Sequence, residues 1–440
     1  MKAFAREEQR RDLAGVVYVP AVQDPDRRGA ALRAEKALVA LKVRYGGSDP
    51  ERAPWLVAAR PFPLGPDLTR QLEQLGTAVF ALCDTAQDLY AEGEPHVRAA
   101  LDIGVPEDLR GRDLGRRIEL FRLDVVVSQG MPQVTEIEEA FGNVGKMHAF
   151  ERAYDVGAGD LFRAFHRRGI ERIWMDDQYP TYRPENELAA RRMREQFGRP
   201  VDVEFFSCFR DDGRRGWRFC YVKELRQYEE RLRREIFAAA ERLINPLFHG
   251  YGTKALLSLV WDPVLESRIA GRLGARTMTV LRRGVPRSQV LPARPDPALV
   301  EQLRACGREK VLKVIDSDTS EFTWGSRGVF FGDHSASSWR RALDAAAVGH
   351  VPGRPEATGS RFVISDLVDS DRFDVEFLHP QSRQLCLLPR ARIRLTPIYA
   401  REGPGSELLG GHATFVNTSR KVHLGHHAVC TPFVPSFTQA

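Results

Sequence analysis

Three stretches of this 440-residue chain carry residue types that could do chemistry together. The first, residues 121 to 143, reads FRLDVVVSQGMPQVTEIEEAFGN. Strand-like runs at 119 to 127 and 131 to 138 flank Ser128, Gln129 and Gly130, a short polar turn whose glycine tolerates positive φ, so the pattern predicts a β-hairpin. Side chains alternate faces along a strand, which puts Glu136 and Glu138 on one side, about 7 Å apart at Cα. If the two strands pair through that turn, Arg122 and Asp124 can share the face, giving three carboxylates and a guanidinium on one patch. Carboxylates crowded this way repel unless protons or a divalent cation balance them, and oxygen-only ligands favour Mg²⁺ over Zn²⁺. The alternative for the same residues is a solvated acidic edge of Glu136, Glu138 and Glu139 with Arg122 as counterion.

The second stretch, KVLKVIDSDTSEFTWGSRGVFF at 310 to 331, places Lys313 inside an apolar strand. A polar loop follows, ending in Gly325, Ser326, Arg327 and Gly328, where small residues let backbone N–H groups approach an anion. Neither the P-loop nor the dinucleotide fingerprint is matched, because both need a glycine loop that opens a helix. A plain hairpin with a snorkelling lysine fits the same residues. The third stretch, NPLFHGYGTKALLSLVWDP at 245 to 263, puts Lys254 near the start of an expected helix over 252–261, where N–H groups and ammonium could jointly face phosphate; a surface lysine is the alternative. Only nine of the 65 basic residues are lysines, so a lysine within an apolar element marks a need for a flexible ammonium.

The elements that must position these groups are mixed. A strand-like run WLVAAR at 55 to 60 precedes helical segments marked by Leu68, Leu72 and Leu75 and then Val79, Phe80, Leu82 and Leu89. Strand-like IERIWM, a helix near 186 to 197, then VEFFSCF and WRFCYV follow. Apolar residues at 225, 228, 232, 236, 240 and 243 predict one continuous helix over 225–243, and the Pro- and Arg-rich stretch 285 to 297 reads as a linker into a β-rich lobe. The class is α+β.

Composition excludes several functions. Hydrophobic residues at 43% and charged residues at 28% indicate a globular chain, and no apolar run approaches the roughly 20 residues that span a bilayer. The first residues, MKAFAREEQRRDL, lack the apolar core of a secretory signal, and six scattered cysteines show no CxxC spacing, so a cytoplasmic location is expected. The net charge of +6 is spread over arginines interleaved with acids, so no nucleic acid or membrane partner is expected. The HLGHH run at 423 to 427 has one i, i+4 pair and no HExxH, and GxSxG is missing, which argues against zinc and hydrolase sites.

Taken together, the three stretches resemble the circularly permuted branch of the ATP-grasp superfamily, which includes glutathionylspermidine-synthase-like carboxylate–amine ligases. In that superfamily an Arg-x-Asp strand is followed about a dozen residues later by Glu-x-Asn; here RLD precedes EIE, and the hairpin comes before the lysines, which is the permuted order. The hinge strand RFVISDLV and the terminal RIRLTPIY, LLGGHATFV and KVHLGHHAV extend the likeness over about 55 to 433. Three departures stand out: Glu138 replaces Asn, the hinge reads SD where Glu or Gln is commoner, and KVHLGHH only approximates the branch's VHGG-like ending.

The resemblance implies ATP-grasp-type lobes in permuted order with an additional α/β substrate domain. An arm or small subdomain at 1–50 would precede an α/β region at 51–245 carrying the metal hairpin and substrate part, then an ATP-binding lobe with lid and hinge at 246–440. It implies two Mg²⁺ ions held by Asp124, Glu136 and Glu138, with Arg122 steadying an acyl phosphate. Lys254 and Lys313 would grip ATP phosphates, 325 to 328 would close over them, and Ser365, Asp366 and Leu367 would meet adenine. Arg392 and Arg394 are catalytic candidates, and Asn143, Lys421 and His423 substrate contacts. The expected activity joins a small-molecule carboxylic acid to an amine with ATP consumed. A small-molecule kinase on the same lobes and a non-catalytic nucleotide or RNA binder remain open at this point. Oligomeric state is not readable, and a homodimer is compatible with the sequence.

Overall fold

The computed structural model describes Leu13 and residues 16–41, 53, 55–157, 160–317, 328–422 and 427–436. The fold is α+β, with three sheets among the described residues. The largest runs Leu56–Val57, Val429–Pro435, Gly405–Val416, Leu385–Glu402, Leu120–Ser128, Met131–Glu138, with Val19–Pro20, Phe62–Leu64 and Arg372–Leu378 paired alongside. It therefore draws strands from both sides of residue 245. The hairpin forms as expected, Arg122 opposite Glu138 and Asp124 opposite Glu136.

Alternation decides what each face does. Phe121, Leu123, Val125 and Val127 are buried in the main core with Leu72, Leu75, Val79 and Leu82 of the helix Pro66–Ala91, while Arg122, Asp124 and Val126 line a cavity on the opposite face. Burying each large apolar side chain contributes about 1.5–3 kcal/mol, so this helix anchors the sheet. The approach is close: a Cβ on Gly76 would lie 2.4 Å from the ring of Tyr399.

A second, antiparallel sheet has the order Val329–Phe331, Lys310–Asp316, Arg361–Asp366, Ser288–Val290. The 285–297 stretch is thus no simple linker, because Ser288–Val290 pairs with the hinge strand at Val363–Ser365. A third sheet is parallel, Arg172–Met175 lying between Asp202–Phe205 and Gly216–Phe219. The helix Arg183–Phe197 packs beside it, as expected.

Two expected helices are different. The 225–243 segment breaks into a 3₁₀ turn Val222–Gln227, the helix Glu230–Ala238 and a 3₁₀ turn Ala240–Arg242. Tyr228 is extended there and donates its hydroxyl to Asp177 Oδ2 at 2.8 Å, so a tertiary bond overrides the periodic pattern. The 252–261 helix is also replaced: Lys254 lies between the 3₁₀ turns His249–Gly252 and Leu256–Trp261. Gly252 packs where a Cβ would meet Tyr221 at 2.6 Å, and that close approach, not a helix terminus, sets the lysine's position. No helix among the described residues is long and apolar enough to cross a membrane.

Candidate active site

The cationic and acidic groups of the hairpin form one connected set. Arg122 bonds Glu138 at 2.5 Å and Asp124 at 3.4 Å, and Arg394 reaches Asp124 Oδ2 at 2.8 Å from the adjoining strand. Lys254 Nζ lies 2.9 Å from Glu136 Oε1. Asp124, Glu136 and Glu138 can each offer an oxygen within 4.8 Å of the others. Such an all-oxygen set suits a hard cation such as Mg²⁺ rather than Zn²⁺. Burial pushes Glu138 up to about 7 against the pull of Arg122, with Asp124 and Glu136 raising it further. The solvated-edge alternative does not hold: Arg122 and Asp124 are buried, and Glu139 turns inward to pair with fully buried Arg218 at 2.5 Å.

Across from this face stands the second sheet. Lys313 points from its strand over the cavity and donates to Thr135 O of the hairpin at 3.1 Å, tying the two sheets together. Burial brings its ammonium down to about 8, opposed by Glu136. The cavity between the sheets has a volume of about 250 Å³. Its second-sheet wall combines apolar Val311, Val329, Phe331 and Leu367 with Lys313 and Asp366, and Pro286 adds to the apolar part. A flat heterocycle could pack on such a wall while a phosphate chain runs toward the lysines.

The structure brings together most of the residues singled out by sequence. Arg122, Asp124, Glu136, Glu138, Asn143, Lys254, Lys313, Asp366, Leu367, Arg394 and Lys421 all line the cavity. Arg392 does not; its guanidinium faces Asp369 at 3.7 Å and Ser419 O at 3.4 Å. Ser365 faces a small adjoining cavity shared with Lys254 and Lys313. Gly328 is placed at the strand entry, its carbonyl accepting from Val314 N at 2.8 Å. Gly325, Ser326, Arg327 and His423 lie outside the described residues.

Several cavity residues escaped the sequence reading: Tyr182, Phe219, Thr396, His412 and Arg420. Tyr182 and Phe219 come from the segments around the third sheet and close on Gly142, where a Cβ would sit about 3.1–3.2 Å from both rings. Asn143 follows in a left-handed conformation, and its buried Oδ1 has no hydrogen-bond partner among the described residues. Of these, His412 carried a signal in the sequence: two glycines precede it in the LLGGHATFV strand, and paired glycines in a strand mark close backbone approach.

The fold and site together describe a two-sheet cleft with an acidic hairpin on one wall, Lys313 on the other and Lys254 beside Glu136. The whole chain shares its fold with a glutathione synthetase-like effector from Globodera pallida, at 12% identity and a TM-score of 0.51, covering 95% of this chain and 98% of that one. A proposed gamma-glutamylcysteine synthetase from Methylobacillus flagellatus KT aligns over 79% of this chain and 85% of its own at 12% identity, but its TM-score of 0.37 is too low to bear on the fold. No family model matches the sequence, and no curated protein matches it.

Proposed function

We propose that this protein is an ATP-dependent carboxylate–amine ligase of the permuted ATP-grasp type, joining small molecules through an acyl phosphate. One observation carries the reading: Asp124, Glu136 and Glu138 on one sheet share a single cavity with Lys254 and Lys313. A carboxylate is a poor acyl donor, so it must first be phosphorylated; the amine then displaces phosphate. Asp124, Glu136 and Glu138 would hold magnesium, which would supply charge neutralisation for phosphoryl transfer. Lys254 and Lys313 hold the phosphate chain in line, and Arg122 and Arg394 orient the acid through their remaining N–H donors. The α/β segments that supply Tyr182, Phe219 and Asn143 form the substrate part.

The test is to incubate the pure protein with Mg²⁺ and ATP and to screen carboxylic acids and amines for stimulated ADP release, identifying products by mass. An acid–amine pair that yields ADP, phosphate and an amide is expected. A phosphorylated product in place of the amide would make the protein a kinase. ATP-independent association that falls steeply with salt, without turnover, would make it a nucleic acid binder.

A further inference from the structure

The ligase reading leaves one requirement without a residue. An amine enters mostly as an ammonium ion and must shed a proton before its lone pair can attack. The cavity carboxylates Asp124, Glu136, Glu138 and Asp366 are each ion-paired with a cation, so none is placed as a ready base.

A run of polar groups leads out of the cavity elsewhere. Thr396 and His412 line it and sit opposite each other on paired strands. Thr396 Oγ1 is 2.7 Å from His412 Nδ1 and donates to His412 O at 3.0 Å. His412 Nε2 lies 3.3 Å from Nζ of Lys146, on the helix Val144–Tyr154. Lys146 has no exposed surface, and its ammonium stands 4.6 Å over the Trp55 ring. Close packing builds this run: a Cβ on Gly411 would come within 2.4 Å of Thr396 O, and one on Gly145 within 2.5 Å of Glu185 O.

The bonds define a tautomer. Since the Thr396 hydroxyl donates to a carbonyl, His412 Nδ1–H donates to Thr396 and Nε2 accepts from the Lys146 ammonium. Burial keeps His412 neutral, far below the usual histidine range, and lowers Lys146 to about 8. The groups whose charge reaches Lys146 are Cys430, Glu185, Arg122 and Arg394, and Glu185 accepts from its backbone N–H at 3.1 Å. When Lys146 is neutral every bond can reverse, with Thr396 O–H donating to Nδ1 and Nε2–H donating to Nζ.

We propose that Thr396, His412 and Lys146 form a relay that takes the proton from the amine substrate, an inference that rests on the ligase reading. The ammonium gives a proton to Thr396 Oγ1, the hydroxyl proton moves to His412 Nδ1, and the Nε2 proton moves to Lys146 Nζ. The freed lone pair forms the C–N bond as the C–O bond to phosphate breaks. Phosphate leaves with that electron pair and carries off the second N–H proton. Thr396 meets the substrate; His412 and Lys146 are positioning residues that act through it.

The relay is tested first by ¹⁵N-histidine NMR of the full chain from about pH 6.5 to about 9.5. Wild type should show His412 with Nδ1–H at the lower end, giving way to Nε2–H near pH 8, and Lys146→Met should show one tautomer throughout. A single tautomer in wild type, or the same switch in Lys146→Met, overturns the relay. Thr396→Val, which retains both inner groups, gives the functional arm with Mg-ATP and a panel of amino acids and dicarboxylic acids. Turnover with primary amines should fall about 100-fold or more, while hydroxamate formation from hydroxylamine, already uncharged at neutral pH, stays close to wild type. Equal losses on both nucleophiles, or none, overturn the relay. A wild-type protein that forms no hydroxamate with any acid overturns the ligase reading instead, and the tautomer switch then judges the relay by itself.

Discussion

Two groups of potential metal ligands occur among the described residues, and they differ in almost every respect but distance. Asp124, Glu136 and Glu138 face the cavity, whereas Asp176, Cys220 and Glu224 are buried, yet each group brings three donor atoms within 4.8 Å. The buried group is closed by neutral donors. Asp176 Oδ1 accepts from Gln178 N at 2.9 Å and Gln227 Nε2 at 2.8 Å, and Oδ2 accepts from the Cys220 thiol at 3.5 Å. Glu224 accepts from Tyr221 N at 2.9 Å and from the Tyr179 hydroxyl at 3.3 Å. Burial raises Asp176 and pushes the Cys220 thiol well above its ordinary range, which disfavours charge in this group. The cavity group is balanced by Arg122, Arg394 and Lys254, cations that can turn toward a phosphate when a metal takes over the carboxylates. Crowded ligands therefore do not define a site; access and exchangeable counter-cations do.

The sharpest way to break that contrast is to remove one member of each group. Glu136→Ala should lower Mg²⁺-dependent ADP formation by at least about 100-fold and leave the melting temperature near wild type, because it also relieves carboxylate repulsion. Lys313→Met should weaken ATP binding by about 10- to 100-fold, measured by calorimetry, since a buried cation facing phosphate is lost. Asp176→Asn should do the reverse of both, costing about 1–3 kcal/mol in denaturant unfolding with ATP affinity unchanged. Catalytic loss from Asp176→Asn, without destabilisation, would erase the distinction between the groups.

A smaller effect should come from pH. Lys313 sits at about 8 in the folded chain, below its ordinary 10.5, so it loses charge as pH rises from about 7 to about 9. ATP affinity should then fall by up to about tenfold. Stability should move the other way between about 8 and 10.5, because the unfolded chain binds more protons there and folding is favoured as pH rises. Lys313→Met should flatten the affinity trend and lessen the stability trend, to which Lys146 and Lys223, also lowered to about 8 by burial, contribute with the same sign.

What could be seen in the sequence followed from how local each signal is. The hairpin was readable because RLD and EIE flank a glycine turn, but the plain register from that turn would set Asp124 opposite Thr135; a β-bulge between Asp124 and Val125, which no local pattern shows, brings Arg122 and Asp124 opposite Glu138 and Glu136. Lys313 was visible for a similar reason, a lone ammonium in an apolar strand. The segments 225–243 and 252–261 misled because distant partners set their conformation: Asp177 holds Tyr228, and Tyr221 crowds Gly252. Thr396 is an ordinary residue in an ordinary strand and His412 is marked only by the two glycines before it; the pairing of Gly405–Val416 with Leu385–Glu402 is what puts them on the cavity. Their connection to Lys146 spans 266 positions, which no spacing rule reaches.

Isothermal calorimetry of ATP binding in the presence and absence of Mg²⁺, on wild type and Glu136→Ala, tests the central claim most directly. Wild type should bind ATP with an affinity that rises with Mg²⁺, and Glu136→Ala should lose that Mg²⁺ dependence while remaining folded. No binding by folded wild type at millimolar ATP, or an unchanged Mg²⁺ dependence in Glu136→Ala, would contradict the assignment of the acidic hairpin and the facing lysines to one nucleotide site.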